Sequence, residues 1–362
     1  FAYFVVALAG VVIYLAGKLY NQYKITLQKT LERQREELKD EGKRNEKNTV
    51  NILKSEINTK DETRIHHALR VFEKIDPIEF EFALLDLLNS KFPSVRIYAY
   101  QKLREYDCFT SLNLIRSDVK TEGDDSAMKE AKKTIDELMK CENFDLNDES
   151  IRQLVRSTDA KDRIKAARIL VKSTEDRHLP FLLELLRDIN PEVRMAAMVT
   201  AGKIKRSELY PILVENLHLA TYANAAMSSL IHIGELAFHN IDTSFYKTGQ
   251  YPSTMVRIVQ ILGRVKSRQS WELLWKKIDF PNKKIVTELL LSLSYLGFKA
   301  KDFQAARIKI IIESRIEDVA WNIKALQDIP HESALDQMIR EALLEENKVN
   351  YDNIFMLMGM IY

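Results

Sequence analysis

A turn followed by a helix start recurs along this chain, and no other feature constrains its fold as strongly. Phe92-Pro93-Ser94-Val95-Arg96 opens IYAYQKL, Asn190-Pro191-Glu192-Val193-Arg194 opens MAAMVTAGKI, and Asp159-Ala160-Lys161-Asp162-Arg163 opens IKAARILVKS. Each Arg is followed three residues later by Ala: Arg96/Ala99, Arg163/Ala166 and Arg194/Ala197. Met128/Ala131 supplies a copy between the first two. Arg163 and Arg194 stand 31 residues apart. A period of about 31 to 35 residues with two helices per unit marks a helical solenoid. One helix pair cannot bury its own apolar face, so pairs must stack.

The motif has a physical logic. Pro in the first helical turn costs nothing, because its missing N–H would be unpaired there. Asp or Asn just before it caps the helix. Small Ala on the buried face lets neighbouring helices approach, and Leu182, Leu183, Leu185 and Leu186 of the partner helix fill the groove. On this reading a leading helix covers residues 61–75. Pairs follow at 77–89 with 93–106, 109–120 with 124–140, 148–157 with 159–173 and 178–188 with 191–204. Further pairs are 208–217 with 222–233, 236–245 with 252–265 and 270–278 with 281–296. After Gly297 the pattern blurs into helices at 302–329, 332–346 and 351–362.

Composition agrees with an all-α chain. Only 10 Gly and 8 Pro occur in 362 residues that are 46% hydrophobic, so helix breakers are scarce. The length exceeds one compact core and favours two domains or a solenoid. The net charge of +2 gives no global attraction for nucleic acid, and no nucleic-acid partner is expected. Cys108 and Cys141 are too few for a disulfide framework and lack the spacing of a zinc or redox pair. Both read as buried or half-buried small side chains in a reducing compartment.

The two ends differ from the middle. Phe1 to Gly17 carries no charge and is slightly short of the roughly 20 residues that span a bilayer. Lys18 can snorkel and Leu19 extends the run, so a transmembrane helix is expected, with a signal peptide and a buried core helix as the rivals. Lys18, Lys24, Lys29, Arg33 and Arg35, opposed only by Glu32, place the following segment in the cytoplasm by the positive-inside rule. A charged helix ending near Gly42 and a short linker come next. The expected divisions are the end of a transmembrane helix at 1–20, a charged juxtamembrane helix and linker at 21–58, repeats at 59–297, and irregular, truncated helical repeats at 298–362. A start without Met suggests that residues precede Phe1.

No catalytic constellation is legible. His66, His67, His178, His218, His232, His239 and His331 make no metal-ligand spacing, and no phosphate-cradling loop or nucleophile elbow occurs. The chain is expected to be no enzyme and to carry no cofactor or metal. Arg96, Arg163, Arg194 and Arg257 recur at equivalent points. They read as a ladder tying neighbouring repeats together, with a basic interaction strip as the alternative. Trp271, Trp275 and Trp321 read as core or groove residues.

The sets Pro93 to Ala99 and Pro191 to Ala197, with the weaker copy at Asp159 to Ala166, resemble HEAT repeats of the short bacterial kind. Tyr23, Leu27 and Leu31 after the apolar start, together with the apolar DNIFMLMGMIY at 352–362, resemble bacterial membrane proteins in which HEAT repeats follow an ATP/ADP translocase-type domain of the major facilitator superfamily. Some of those end in a cyclic-nucleotide-binding domain. The resemblance implies an all-α, HEAT-like α-solenoid preceded by a transmembrane helix, on the cytoplasmic face of the inner membrane. Its implied partners are the membrane, the chain's own upstream transmembrane domain and an unknown protein. The implied role is a regulatory scaffold, and the alternative is a membrane-tethered adaptor. A relative of the HEAT-like bilin lyases is a third reading, and such an enzyme needs no bilayer span. No transport or nucleotide-binding residue carries over to this sequence.

Overall fold

The computed structural model describes residues 46–362, apart from 60, 174, 331 and 332. The expected transmembrane helix at 1–20 and the basic stretch from Lys18 to Arg35 therefore lie outside the described residues. No described helix is long and apolar enough to cross a membrane. Every regular element among the described residues is helical.

Residues 46–296 form one compact unit and the residues from Gly297 onward belong to another. The first unit begins earlier than the sequence suggests. Helix α1 (Glu46–Ile57) occupies the region read as linker and pairs with α2 (Glu62–Ile75). Val50, Leu53 and Ile57 of α1 share one face and are buried with Ile65, Leu69 and Phe72 of α2 in the same core. That face makes a full first pair of what reads as a lone leading helix. The charged and polar neighbours in EKNTVNILKSEI hide three apolar positions at helical spacing.

The pairs that follow are α3 (Pro77–Leu87) with α4 (Pro93–Glu105), α5 (Leu112–Asp118) with α6 (Asp125–Glu142), and α7 (Asp148–Val155) with α8 (Ala160–Ile169). Next are α9 (Leu179–Leu185) with α10 (Pro191–Ile204), and α11 (Tyr210–Glu215) with α12 (Ala220–Ile233). The unit ends with α13 (Phe238–Phe245) on α14 (Pro252–Arg264) and α15 (Arg268–Trp275) on α16 (Lys283–Tyr295). Pro77, Pro93, Pro191 and Pro252 all stand in the first turn of their helices. Asn190 caps α10 by accepting from the N–H groups of Glu192 and Val193 at 2.9 and 3.2 Å. Ala99, Ala131, Ala166 and Ala197 are all buried, so the small residue of each motif sits where second helices approach.

Second helices stack on second helices: α4 on α6, α8 on α10, α10 on α12, α12 on α14 and α14 on α16. Between α6 and α8 this extensive contact is missing. The polar turn around Asp145 and Asn147 interrupts the stack there, and two blocks result, 46–142 and 148–296. A continuous apolar cluster from Val50 to Leu138 fills the first. In the second, the Lys277 side chain is fully buried, pairs with Asp242 and lies 4.9 Å from the ring centres of Phe245 and Tyr246.

The unit that holds the C-terminal residues contains two long helices, α17 (Asp302–Asp328) and α18 (Ala334–Ile361), packed on each other. The expected break between 346 and 351 does not occur. Asn347, Asn350 and Asn353 are buried along one side of α18, and Asn322 of α17 donates to Asn347 at 3.0 Å. The helix runs unbroken where it packs along α17, through a segment whose composition alone suggests a turn. Trp321 is 66% exposed, which takes it out of the core, the first of the two places expected for it, core or groove.

Candidate interaction cavity

The two blocks meet twice and leave a space between. The first meeting lies next to the interrupting turn. Lys172 donates to the carbonyls of Cys141 and Glu142 at 3.0 and 2.5 Å, and Arg168 bonds the Glu105 carbonyl and stands 3.4 Å from Asp107. The second is a seam that joins residues about 150 positions apart. Asp76, the cap of α3, accepts from the Ser228 hydroxyl of α12 at 2.5 Å and pairs with Arg264 of α14. Ser228 in turn accepts from the Ile78 N–H at 3.2 Å, and Asn224 donates to the Lys74 carbonyl at 3.1 Å. Lys203 pairs with Glu81, and the rings of Phe82 and His232 stack with centres 5.7 Å apart. Burial, followed by the charges of Lys205 and Lys203, pushes the His232 imidazole below its usual range.

Between these contacts lies a cavity of about 1000 Å³. Its apolar wall includes Phe82, Phe109, Ile164, Met195 and Val199. Charged groups interrupt that wall. Tyr106 donates to Glu73 at 2.5 Å, Glu73 also holds Lys102 at 2.8 Å, and the Arg168 guanidinium lies 5.1 Å from the Tyr106 ring centre. Volume, apolar lining and a few convergent polar groups are the marks of a binding cavity. They supply no acid–base pair or nucleophile set aimed at a common point. No group of His, Cys, Asp or Glu among the described residues is arranged to hold a metal ion.

Cys108 lines the cavity and donates to Glu81 at 3.3 Å, while Cys141 donates to Asp107 at 3.2 Å. Burial and then Glu81 push the Cys108 thiol well up, and burial and then Asp107 raise Cys141 to about 11. The thiolate is the reactive form. Both thiols are therefore expected to react with a disulfide reagent at pH 8 at least about tenfold more slowly in the native protein than in denaturant. Equal rates would contradict this placement.

The four ladder arginines lie in different surroundings. Arg96 holds Glu122 side-on at 2.7 and 2.6 Å and donates to the Ser90 carbonyl at 2.7 Å. Arg163 repeats the pattern with Asp188 at 2.7 and 3.2 Å and the Ser157 carbonyl at 2.8 Å. Arg194 instead stacks 4.4 Å from the Tyr222 ring centre, and its Nε is buried with no hydrogen-bond partner. The turn carrying Asp188 is shortened one repeat later: four residues separate Leu186 from Pro191, but two separate Leu217 from Ala220. Arg257 donates to the Leu217 carbonyl. None of the four lines the cavity.

The Arg96 hydrogen bond holds the Glu122 carboxyl below its usual 4.5. At Asp188, burial works against ionisation, but the Arg163 hydrogen bond and the Asn190 N–H outweigh it and the carboxyl is lowered from 3.8. Folded values below unfolded ones give stability that is complete above the unfolded values and is lost as pH falls through the folded ones. The urea midpoint is thus expected to fall below about pH 4.5, with a flatter decline in Glu122→Gln. An identical pH profile in that variant would refute the assignment.

The seam and the cavity were not legible in the repeat motif. Asp76, before Pro77, fits there only as a cap, and the motif contains neither Ser228 nor Gly202 as a contact. The nearest signal is a cluster of small side chains in α12, Ala223, Ala225, Ala226, Ser228 and Ser229, at a place where something must approach closely.

A protein-family match supports the repeat. Residues 148–230 match the HEAT repeats family. A crystal structure of an engineered protein is similar over 85% of this chain and 99% of its own, at 16% identity and a TM-score of 0.27. No curated protein matches. The described residues are all-helical and include a HEAT-repeat region, and such repeats commonly mediate protein–protein interaction.

Proposed function

We propose that this chain is a non-catalytic HEAT-repeat scaffold on the cytoplasmic side of a bacterial inner membrane, serving as the regulatory module of a nucleotide-transporter-like membrane protein. The observation that carries the reading is the order of segments in one chain: an uncharged run from Phe1 to Gly17, basic residues from Lys18 to Arg35, and then the repeats. An apolar run followed by Lys and Arg supports a cytoplasmic repeat region. The repeat match at 148–230 supports a surface for partners rather than a reaction centre.

The test is deletion of residues 59–362 from the full protein in its native membrane. The reading expects altered transport or altered regulation of transport, and unchanged transport in every condition tried rejects it. A second reading, a membrane-tethered adaptor, is supported by the cavity of about 1000 Å³ between the two blocks. Recovery of a bound partner from membrane extracts, without any transport phenotype on deletion, selects the adaptor.

A further inference from the structure

Three of the ladder arginines occupy one place in the motif, three residues before a buried alanine, and two of them hold a carboxylate there. Arg96 sets its Nε and Nη2 against the two oxygens of Glu122, and Arg163 does the same to Asp188. Both acids come from the turn before the next second helix, two residues ahead of its cap, Asp124 or Asn190. A guanidinium fork on a carboxylate is charge-assisted and fixed in direction.

Arg194 starts from the same place and ends differently. Two residues ahead of Leu219, the cap position of α12, stands the fully buried Leu217 in place of an acid. No side chain or carbonyl among the described residues accepts from Arg194. Glu192, two residues earlier, and Glu215, at the end of α11, do not pair with it. Its Nε, the nitrogen that meets the acid in both sister repeats, is buried without a partner, while both Nη groups reach solvent. The Tyr222 ring, in the first turn of α12, lies 4.4 Å from the guanidinium. A ring against the flat face orients a guanidinium and leaves its in-plane donors unused.

The turn lacks a second acceptor as well. Asp124 and Asn190 cap α6 and α10 through their side chains, whereas Leu219 gives α12 no side-chain cap and its first turn carries no acid. The surface there is open. His218 and Ala220 are exposed, and Tyr251, 60% exposed, stacks on His218 with ring centres 5.8 Å apart. Arg257 is committed to the Leu217 carbonyl.

We propose that Arg194 and the turn at 216–222 are a docking point for an acidic side chain of a protein partner, an Asp or Glu that takes the place held by Glu122 and Asp188 in the sister repeats. This rests on the interaction-scaffold reading and names a partner chemistry for it. It does not depend on membrane attachment or on transport, so the two can fail separately.

The experiment follows arginine Nε–H signals and backbone amides of the full chain by proton–nitrogen NMR, with Arg96, Arg163 and Arg194 assigned by their Lys variants. The probes, at matched ionic strength, are the capped peptide GDEDG, its neutral counterpart GNQNG, sodium acetate and sodium phosphate. GDEDG is expected to move the Arg194 signal with half-saturation below about 5 mM, about tenfold tighter than acetate or phosphate. Arg96 and Arg163, already holding carboxylates, are expected to stay in place. The Thr221 amide, at the uncapped start of α12, is expected to move with Arg194 and to stop responding in Arg194→Gln. Arg194 donates to nothing in the described chain, so that variant strands no acceptor. Arg116→Gln, which removes one exposed cation from the other block, is expected to leave the Arg194 and Thr221 responses intact. An equal response to GNQNG, or acetate or phosphate binding as tightly as GDEDG, overturns the proposal. So does equal movement of all three arginines, or no saturable movement of Arg194 up to about 20 mM GDEDG.

Discussion

Replacing Asp76 with alanine is expected to destabilise the 46–296 unit by about 3–5 kcal/mol, the cost typical of leaving one member of a buried ion pair alone. Asp76 is 3% exposed, and the Arg264 side chain retains 12% of its surface. Truncation strands that guanidinium, leaves the Ser228 hydroxyl without its acceptor, and removes the cap that accepts from the Glu79 N–H at 3.3 Å. The cap alone accounts for about 1 kcal/mol, so the remainder belongs to the seam. Asp76→Asn keeps a capping oxygen and drops the charge, and an intermediate loss is expected. Urea unfolding followed by circular dichroism reads both. A loss no larger than a cap for Asp76→Ala means that the seam adds nothing.

Gly202→Ala is expected to cost about 1–3 kcal/mol, although alanine is the better helix former by about 1 kcal/mol. A Cβ at 202 meets the Ser229 Cα and Cβ and the Ile78 Cδ1 at 2.8 Å each. Ser229 Cα is backbone of α12 and cannot swing aside, so α10 and α12 must separate at the point where the seam closes on Ile78. Gly123→Ala is the matched control. Nothing lies within 4 Å of a Cβ there, and a change within about 0.5 kcal/mol is expected. A neutral Gly202→Ala alongside a neutral control removes the close approach from the account.

The helices were legible because their signals are local. Pro in the first turn, Asp or Asn before it and Ala three residues after Arg act within one helix and its cap, and the pairs lie close to their expected bounds. α1 was obscured because Val50, Leu53 and Ile57 are spread among charged neighbours, and its pairing with α2 shows only when that face is matched to Ile65, Leu69 and Phe72. α18 runs unbroken where the sequence predicts a break, because Asn favours turns on a surface, whereas Asn347, Asn350 and Asn353 are buried. The seam was out of reach for a different reason. Curvature accumulates from small rotations between repeats, and a slackened contact such as that between α6 and α8 redirects everything after it. Asp76 and Ser228 therefore meet for reasons that neither local sequence contains. The cavity inherits that illegibility, since its walls come from both blocks.

A double-mutant cycle on Asp76→Ala and Arg264→Met tests most directly whether the chain closes on itself across 188 positions. Stability is measured for the parent, both single variants and the double variant in the full chain. The closed arrangement predicts a coupling energy above about 1 kcal/mol, as for residues in one buried network. Losses that simply add to within about 0.5 kcal/mol, the behaviour of sites that do not touch, would contradict it and open the solenoid.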